Sequence, residues 1–171
     1  MEQGYIQVYT GNGKGKTTAA LGLAMRVAGA GFRVFVGQFV KGRDSSELHS
    51  FARLSDQIII HQYGRPSFVF TSVAEEEVPA RQGLVDIKDA VYGGKYKLVI
   101  LDEVNVAVYL GLLPLEELLE IMDNRPPHVE LVLTGRWADP RILEKADLVT
   151  EMNERKHYYR QGVLARTGIE K

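Results

Sequence analysis

Residues 10–17 read TGNGKGKT, and they lie where a first strand should turn into a first helix. The run before them, Ile6-Gln7-Val8-Tyr9, is short and β-type; the run after them, TAALGLAMRVA at 18–28, is amphipathic with helical spacing. Gly11, Gly13 and Gly15 lack a Cβ, so the backbone there can approach an anion closely. Successive N–H groups then turn inward, and the helix N-terminus adds the positive end of its dipole. Lys16 supplies a mobile cation, and the Thr17 hydroxyl suits Mg²⁺. With Thr10, Asn12, Lys14 and Thr18 the octet predicts a cradle for a nucleoside triphosphate. Two details depart from the P-loop pattern: Thr10 stands where a Gly is usual, and Lys14 adds a basic residue between two glycines. A Gly-rich turn with no ligand is the competing reading, and Gly-Lys-Thr at a strand–loop–helix junction argues against it.

Composition narrows the rest. A chain of 171 residues is expected to form one domain with ample core. A hydrophobic fraction of 45% is that of a soluble globular protein. A net charge of −1 leaves no electrostatic footprint for nucleic acid or an anionic membrane. With no Cys there is no disulfide, thiolate metal site or Cys nucleophile, which fits a reducing cytoplasm. The start, MEQGYIQVYTG, has neither the basic nor the apolar region of a signal peptide. No apolar stretch reaches the ~20 residues that span a bilayer.

Strand-like apolar runs alternate with helical ones. Strands are expected at about 5–10, 33–40, 57–61, 98–102, 129–134 and 147–151, and helices at about 16–30, 45–54, 73–92, 114–123 and 140–146. VFVGQFV, LVILD and LVLTG are nearly continuous apolar runs, as suits a parallel sheet covered on both faces. The alternation predicts an α/β three-layer sandwich with a mainly parallel central sheet, of the P-loop NTPase (RecA-like) type. The stretch 62–72, QYGRPSFVFTS, reads as a loop, and the polar tail 153–171 as a terminal strand or arm.

Other residues are expected at the same end of that sheet. KLVILDE at 97–103 is an apolar strand ending in a carboxylate pair, and ligands of open α/β sheets gather at the carboxyl ends of strands. Asp102 and Glu103 should therefore lie near Thr17, one of them holding Mg²⁺ directly or through water. Taken alone, Asp-Glu after a strand is more often a helix N-cap followed by a first-turn acid. LVLTGR at 131–136 puts Arg136 at the same edge, where its planar fork suits a phosphate and a surface role is equally open. Gln38 and Lys41, in VGQFVK, either face the crevice or form a solvated strand end. Tyr63, Phe68 and Phe70 either cover a flat apolar ligand or plug the core beneath a loop. His49, His61, His128 and His157 show no metal-ligand spacing, and Glu75-Glu76-Glu77 reads as a helix first turn.

Together these pieces resemble the P-loop family of ATP:corrinoid adenosyltransferases. The resemblance is carried by TGNGKGKTTAALGLAMRVAGAG (10–31), VGQFVKG (36–42), LDEVNVAVYLGLLPLEELLEIMDNRP (101–126), LTGR (133–136) and the stretch from ADLVTEM to the terminal GIE (146–170). It implies transfer of the 5′-deoxyadenosyl group of ATP to the Co(I) of a reduced corrinoid, with release of triphosphate. It implies ATP bound in a reversed sense on the loop, so that C5′ is exposed. Lys16, Thr17 and Glu103 are then the catalytic residues, with Thr17 and Glu103 on Mg²⁺ and Asp102 behind them. Thr10 to Thr18, Gln38, Lys41 and Arg136 would bind the nucleotide. Phe68 and Phe70 would meet the corrinoid, where the family commonly has a Phe and a Trp. The only Trp here is Trp137, directly after Thr-Gly-Arg, where the family usually has Gly. The resemblance also implies an electron-donor flavoprotein as partner and a homodimer. A P-loop kinase or ATPase and a nucleotide-dependent switch are the alternatives.

Overall fold

A computed structural model describes residues 3–65 and 73–170. Six strands form one sheet: β1 (Ile6–Thr10), β2 (Val34–Phe39), β3 (Ile58–Tyr63), β4 (Leu98–Asp102), β5 (Glu130–Thr134) and β6 (Leu148–Glu151). Their order is β3-β2-β4-β5-β1-β6, and every neighbouring pair is parallel. The expected three-layer α/β architecture is therefore present, with the sheet wholly parallel.

The helices are α1 (Lys16–Gly29), α2 (Ser46–Ala52), α3 (Val73–Tyr92), α4 (Val104–Tyr109), α5 (Leu115–Asn124) and α6 (Pro140–Lys145). Period-2 alternation along the strands divides the apolar side chains between two cores. Phe35, Val99, Leu101, Leu131 and Leu133 enter a core closed by Leu84 and Ile87 of α3, Leu118 and Ile121 of α5, and Ile142 of α6. Val34, Val36, Leu98, Ile100 and Val132 enter the other, closed by Ala20, Leu21, Ala24 and Ala28 of α1 and Phe51 of α2. Small residues on the inner stripe of α1 let it lie close over the sheet, with its N-terminus at the carboxyl end of β1.

The structure adds one helix, extends one strand and decides between the two readings of the tail. Helix α4 was not foreseen: VNVAVY is rich in β-branched residues, and burial of Val104 and Ala107 overrides that local preference. Gln62 and Tyr63 extend β3 rather than opening a loop. The Tyr63 ring is core, lying 5.5 Å from that of Phe39, and its hydroxyl donates to Asp86 at 2.7 Å. A Cβ on Gly83 would stand 2.6 Å from that ring, so only glycine admits this approach of α3. Of the two readings of the tail, the arm is the one observed: its described residues beyond β6 form no strand and carry one 3₁₀ turn, Tyr158–Gln161.

Candidate functional site

Four strands end in a left-handed residue, and the four turns converge. Gly11 follows β1 at φ 91°, Val40 follows β2 at 55°, Glu103 follows β4 at 59°, and Gly135 follows β5 at 132°, with Trp137 at 57° two residues on. Among the described residues, Val40, Glu103 and Trp137 are the only non-glycine positions with positive φ. Such conformations cost of order 1–3 kcal/mol each and collect at functional sites.

Asp102 is the hub there. Its residue is fully buried, and both oxygens are engaged. Thr17 and Thr134 donate their hydroxyls to Oδ1, at 2.8 and 2.7 Å. Gln38 donates its amide to Oδ2 at 3.1 Å, and the Lys41 ammonium reaches the same oxygen at 2.7 Å. Gln62 supports this from the edge strand, donating to the Gln38 carbonyl oxygen at 3.0 Å. The P-loop helix, β2, β4 and β5 are thus tied together through one carboxylate. Thr134 also receives the Glu103 N–H at 3.0 Å, which fixes the turn after Asp102.

The N-cap alternative for the acidic pair does not describe this geometry. Asp102 faces Thr17. Glu103 occupies the position before α4, and its side chain makes no cap hydrogen bond. Burial, and then the neighbouring Asp102, push the Glu103 carboxyl above its usual range, while Lys41, Lys16 and Arg136 oppose that shift. Among the described residues no hydrogen bond commits the Glu103 carboxylate, and Lys41, Lys16 and Arg136 lie near enough to act on it electrostatically.

The glycine-rich loop is held by its own lysine and by the segment after β6. Gly15 sits at φ 117° immediately before α1. The Lys16 ammonium folds back into its own loop and donates to the carbonyls of Gly11 and Gly13, at 2.8 and 2.7 Å. Burial, with Arg136 adding repulsion, lowers its affinity for the proton. The loop glycines answer a second demand unseen in the sequence. The Gly13 N–H donates to the Met152 carbonyl at 2.6 Å, and a Cβ on Gly11 or Gly13 would come within 2.5 or 2.7 Å of that oxygen.

A cleft of about 790 Å³ opens above these groups. Asn12 to Thr18, Lys41, Glu103 and Arg136 line it, so the structure brings most of the expected site together. Thr10 and Gln38 lie beneath: Thr10 accepts the Met152 N–H at 2.9 Å, and Gln38 orients Asp102. Phe68 and Phe70 lie outside the described residues. Trp137 is half exposed and stacks on Tyr109, with ring centroids 4.6 Å apart.

The facing wall is the C-terminal arm. Glu154, His157, Tyr159, Arg160 and Ile169 line the cleft from it. Glu170 clasps the arm to the loop: Lys14 reaches its carboxylate at 3.0 Å, Tyr158 hydrogen-bonds to it, and Arg166 pairs with it at 3.1 Å. Arg166 first, then Tyr158, hold the Glu170 carboxyl well below the usual range. The extra lysine of the loop thus has a specific partner. A signal was present in the sequence, since Lys14 departs from the plain pattern and the arm's Lys-His-Tyr-Tyr-Arg run joins aromatic and basic residues. Nothing local connected the two.

Comparison with known proteins agrees along the whole chain. The family model for ATP:corrinoid adenosyltransferase BtuR/CobO/CobP matches residues 2–170. A corrinoid adenosyltransferase of Pseudomonas aeruginosa is 36% identical over 176 residues, covering 99% of this chain and 84% of that one. One of Escherichia coli K12 is 36% identical over 171 residues, covering 99% and 86%. The corrinoid adenosyltransferase CobA of Salmonella typhimurium is 36% identical over 177 residues, again covering 99% and 86%.

Proposed function

The chain belongs to the ATP:corrinoid adenosyltransferase family, and from that premise we propose how its residues divide the work. The reaction takes the 5′-deoxyadenosyl group of ATP to the Co(I) of a reduced corrinoid. Cobalt supplies the electron pair, the Co–C5′ bond forms, the C5′–O bond breaks, and triphosphate leaves. Co(I) carries no proton to remove, so no general base is needed. The protein's task is to align cobalt, C5′ and the leaving oxygen and to stabilise charge growing on the triphosphate.

The observation that carries the site assignment is the joining of Thr17 to Asp102 at 2.8 Å, beneath a cleft ringed by Lys16, Lys41 and Arg136. The loop N–H groups and Lys16 hold the triphosphate. Arg136, whose fork matches phosphate oxygens, closes on it from β5. Thr17 and Glu103 fit a magnesium ion as oxygen ligands, and Asp102 orients the Thr17 hydroxyl from behind. That ion would neutralise the leaving triphosphate. Thr10 and Gln38 serve the site from below, as supports for the loop and for Asp102. Phe68 and Phe70 are assigned to the corrin face and the removal of cobalt's lower ligand. The whole chain works as one domain and a homodimer in the cytoplasm, with a flavoprotein as electron donor. Among the described residues no helix is long and apolar enough to cross a membrane.

One assay tests the reading against its rivals. The protein is mixed with ATP, Mg²⁺ and chemically reduced cobalamin. Triphosphate together with a light-sensitive alkylcobalt spectrum is the expected result. ADP would instead mark a γ-phosphate enzyme, and an unchanged mixture a switch.

A further inference from the structure

Four side chains hold Asp102, and one differs from the rest. Thr17, Thr134 and Gln38 are neutral donors, whereas Lys41 carries the charge that a buried carboxylate needs. The Lys41 side chain is 30% exposed and the Asp102 side chain 0%. Lys41 is thus the charged partner that reaches both the carboxylate and the open cleft, which Thr17 lines beside it. Its ammonium also lies 3.5 Å from the Thr17 hydroxyl. It lies beside both the group expected to ligate a divalent ion and the carboxylate expected to support it.

The backbone that presents Lys41 is fixed. Val40 turns the chain through a left-handed conformation at φ 55°. Directly after it the backbones of 41–42 and 64–65 interlock: a Cβ on Gly42 would stand 2.1 Å from the Gly64 carbonyl oxygen, and one on Gly64 would stand 2.5 Å from the Lys41 nitrogen. The Lys41 Cα has little room to move, and any movement of the ammonium belongs to its four-carbon stem.

We propose that Lys41 is the resident cation of the metal position: it compensates Asp102 when no nucleotide is bound, and a divalent ion entering beside Thr17 displaces it toward the triphosphate. An ammonium and a divalent ion cannot share that position, because two cations so close repel strongly away from bulk water. The phosphates resolve the conflict by offering Lys41 a new partner and the ion further oxygen ligands. Lys16, whose ammonium is folded onto its own loop carbonyls, is released in the same way. The metal alone is then held weakly, metal and ATP enter together, and Lys41 finishes on the leaving group. The proposal rests on the assignment of Thr17 as a metal ligand.

The test is Mn²⁺ binding to the full-length protein, followed by electron paramagnetic resonance without ATP and without corrinoid. Lys41→Met should bind Mn²⁺ about tenfold tighter than the unaltered chain, since the competing charge is gone. Thr17→Val in that background should abolish the gain. The melting temperature of Lys41→Met should rise with Mn²⁺ more than that of the unaltered chain. Lys41→Gln, which keeps a donor for Asp102 without the charge, should behave likewise and covers the case in which Lys41→Met does not fold. Affinity no tighter in either variant would overturn the proposal, and so would a gain that survives Thr17→Val. A second arm adds ATP to the unaltered chain and to Thr17→Val alone. Nucleotide-dependent Mn²⁺ binding that ignores Thr17 would remove the metal assignment itself, a failure separable from that of the Lys41 exchange.

Discussion

Along β4, Val99 and Leu101 enter one core and Leu98 and Ile100 the other, with extended backbone and full burial. At Asp102 and Glu103, the next two positions, a buried carboxylate is followed by a residue at φ 59° whose own carboxyl is pushed toward protonation. β2 makes the same change, from apolar alternation to Gln38, a left-handed Val40 and Lys41. The middle of the sheet satisfies every local rule of packing and pattern; its carboxyl edge breaks several of them together. Natural sequences break such rules where function requires it. Stability should therefore reside in the middle and chemistry at the edge, and substitutions on the two sides of Asp102 should have separable consequences.

Leu101→Ala should have the largest effect. Leu101 is fully buried in the larger core, and truncating such a leucine costs ~2–5 kcal/mol. Chemical denaturation should show that loss, while Mg-ATP affinity at low temperature, where the protein stays folded, should be unchanged. Lys16→Ala should do the reverse. Its ammonium serves loop carbonyls beside an open cleft and no apolar core. Titration calorimetry should show Mg-ATP affinity falling by about a hundredfold, the ~3 kcal/mol of charged hydrogen bonds to phosphate, with the melting temperature little changed. If both variants lost stability and affinity in parallel, middle and edge would be one cooperative unit.

The middle was legible because its signals are local. All six strands announce themselves as apolar runs, and the octet at 10–17 marks the loop because its glycines and lysines serve a motif with fixed spacing. What escaped depends on partners distant in the chain. Val104 to Tyr109 is rich in β-branched residues and gives no helical signal of its own, yet becomes helix because the larger core buries Val104 and Ala107. The arm at 153–170 looks like polar tail, yet Glu170 is placed by Lys14, 156 residues earlier. Lys41 and Gln38 were ambiguous strand-end residues until Asp102 was seen between them. Tyr63 read as a loop aromatic because nothing local reveals Gly37 and Gly83 clearing space for its ring.

Glu103→Gln gives the smallest shift in stability and the sharpest test of the contrast. In the folded chain burial and Asp102 raise the Glu103 pKa above its unfolded value. The folded state then holds this proton more tightly than the unfolded state, so stability falls as pH rises from the unfolded pKa to the folded one. Above that window the ionised carboxylate is a standing cost; below it the cost is absent. Glutamine keeps the shape without the charge, so the variant should melt about 1–2 °C higher at neutral pH, the effect of a fraction of a kcal/mol in a chain of this size. That gain should vanish on acidification below the ordinary glutamate range. Turnover should move the other way, falling about tenfold at low Mg²⁺ and recovering in part as Mg²⁺ is raised, because one anionic ligand to the ion is lost. A residue whose removal helps the fold and harms the reaction is what the edge should contain. A Glu103→Gln variant that melts lower at neutral pH and keeps full activity at low Mg²⁺ would place Glu103 with the packing residues of the middle and leave Thr17 to hold the ion without it.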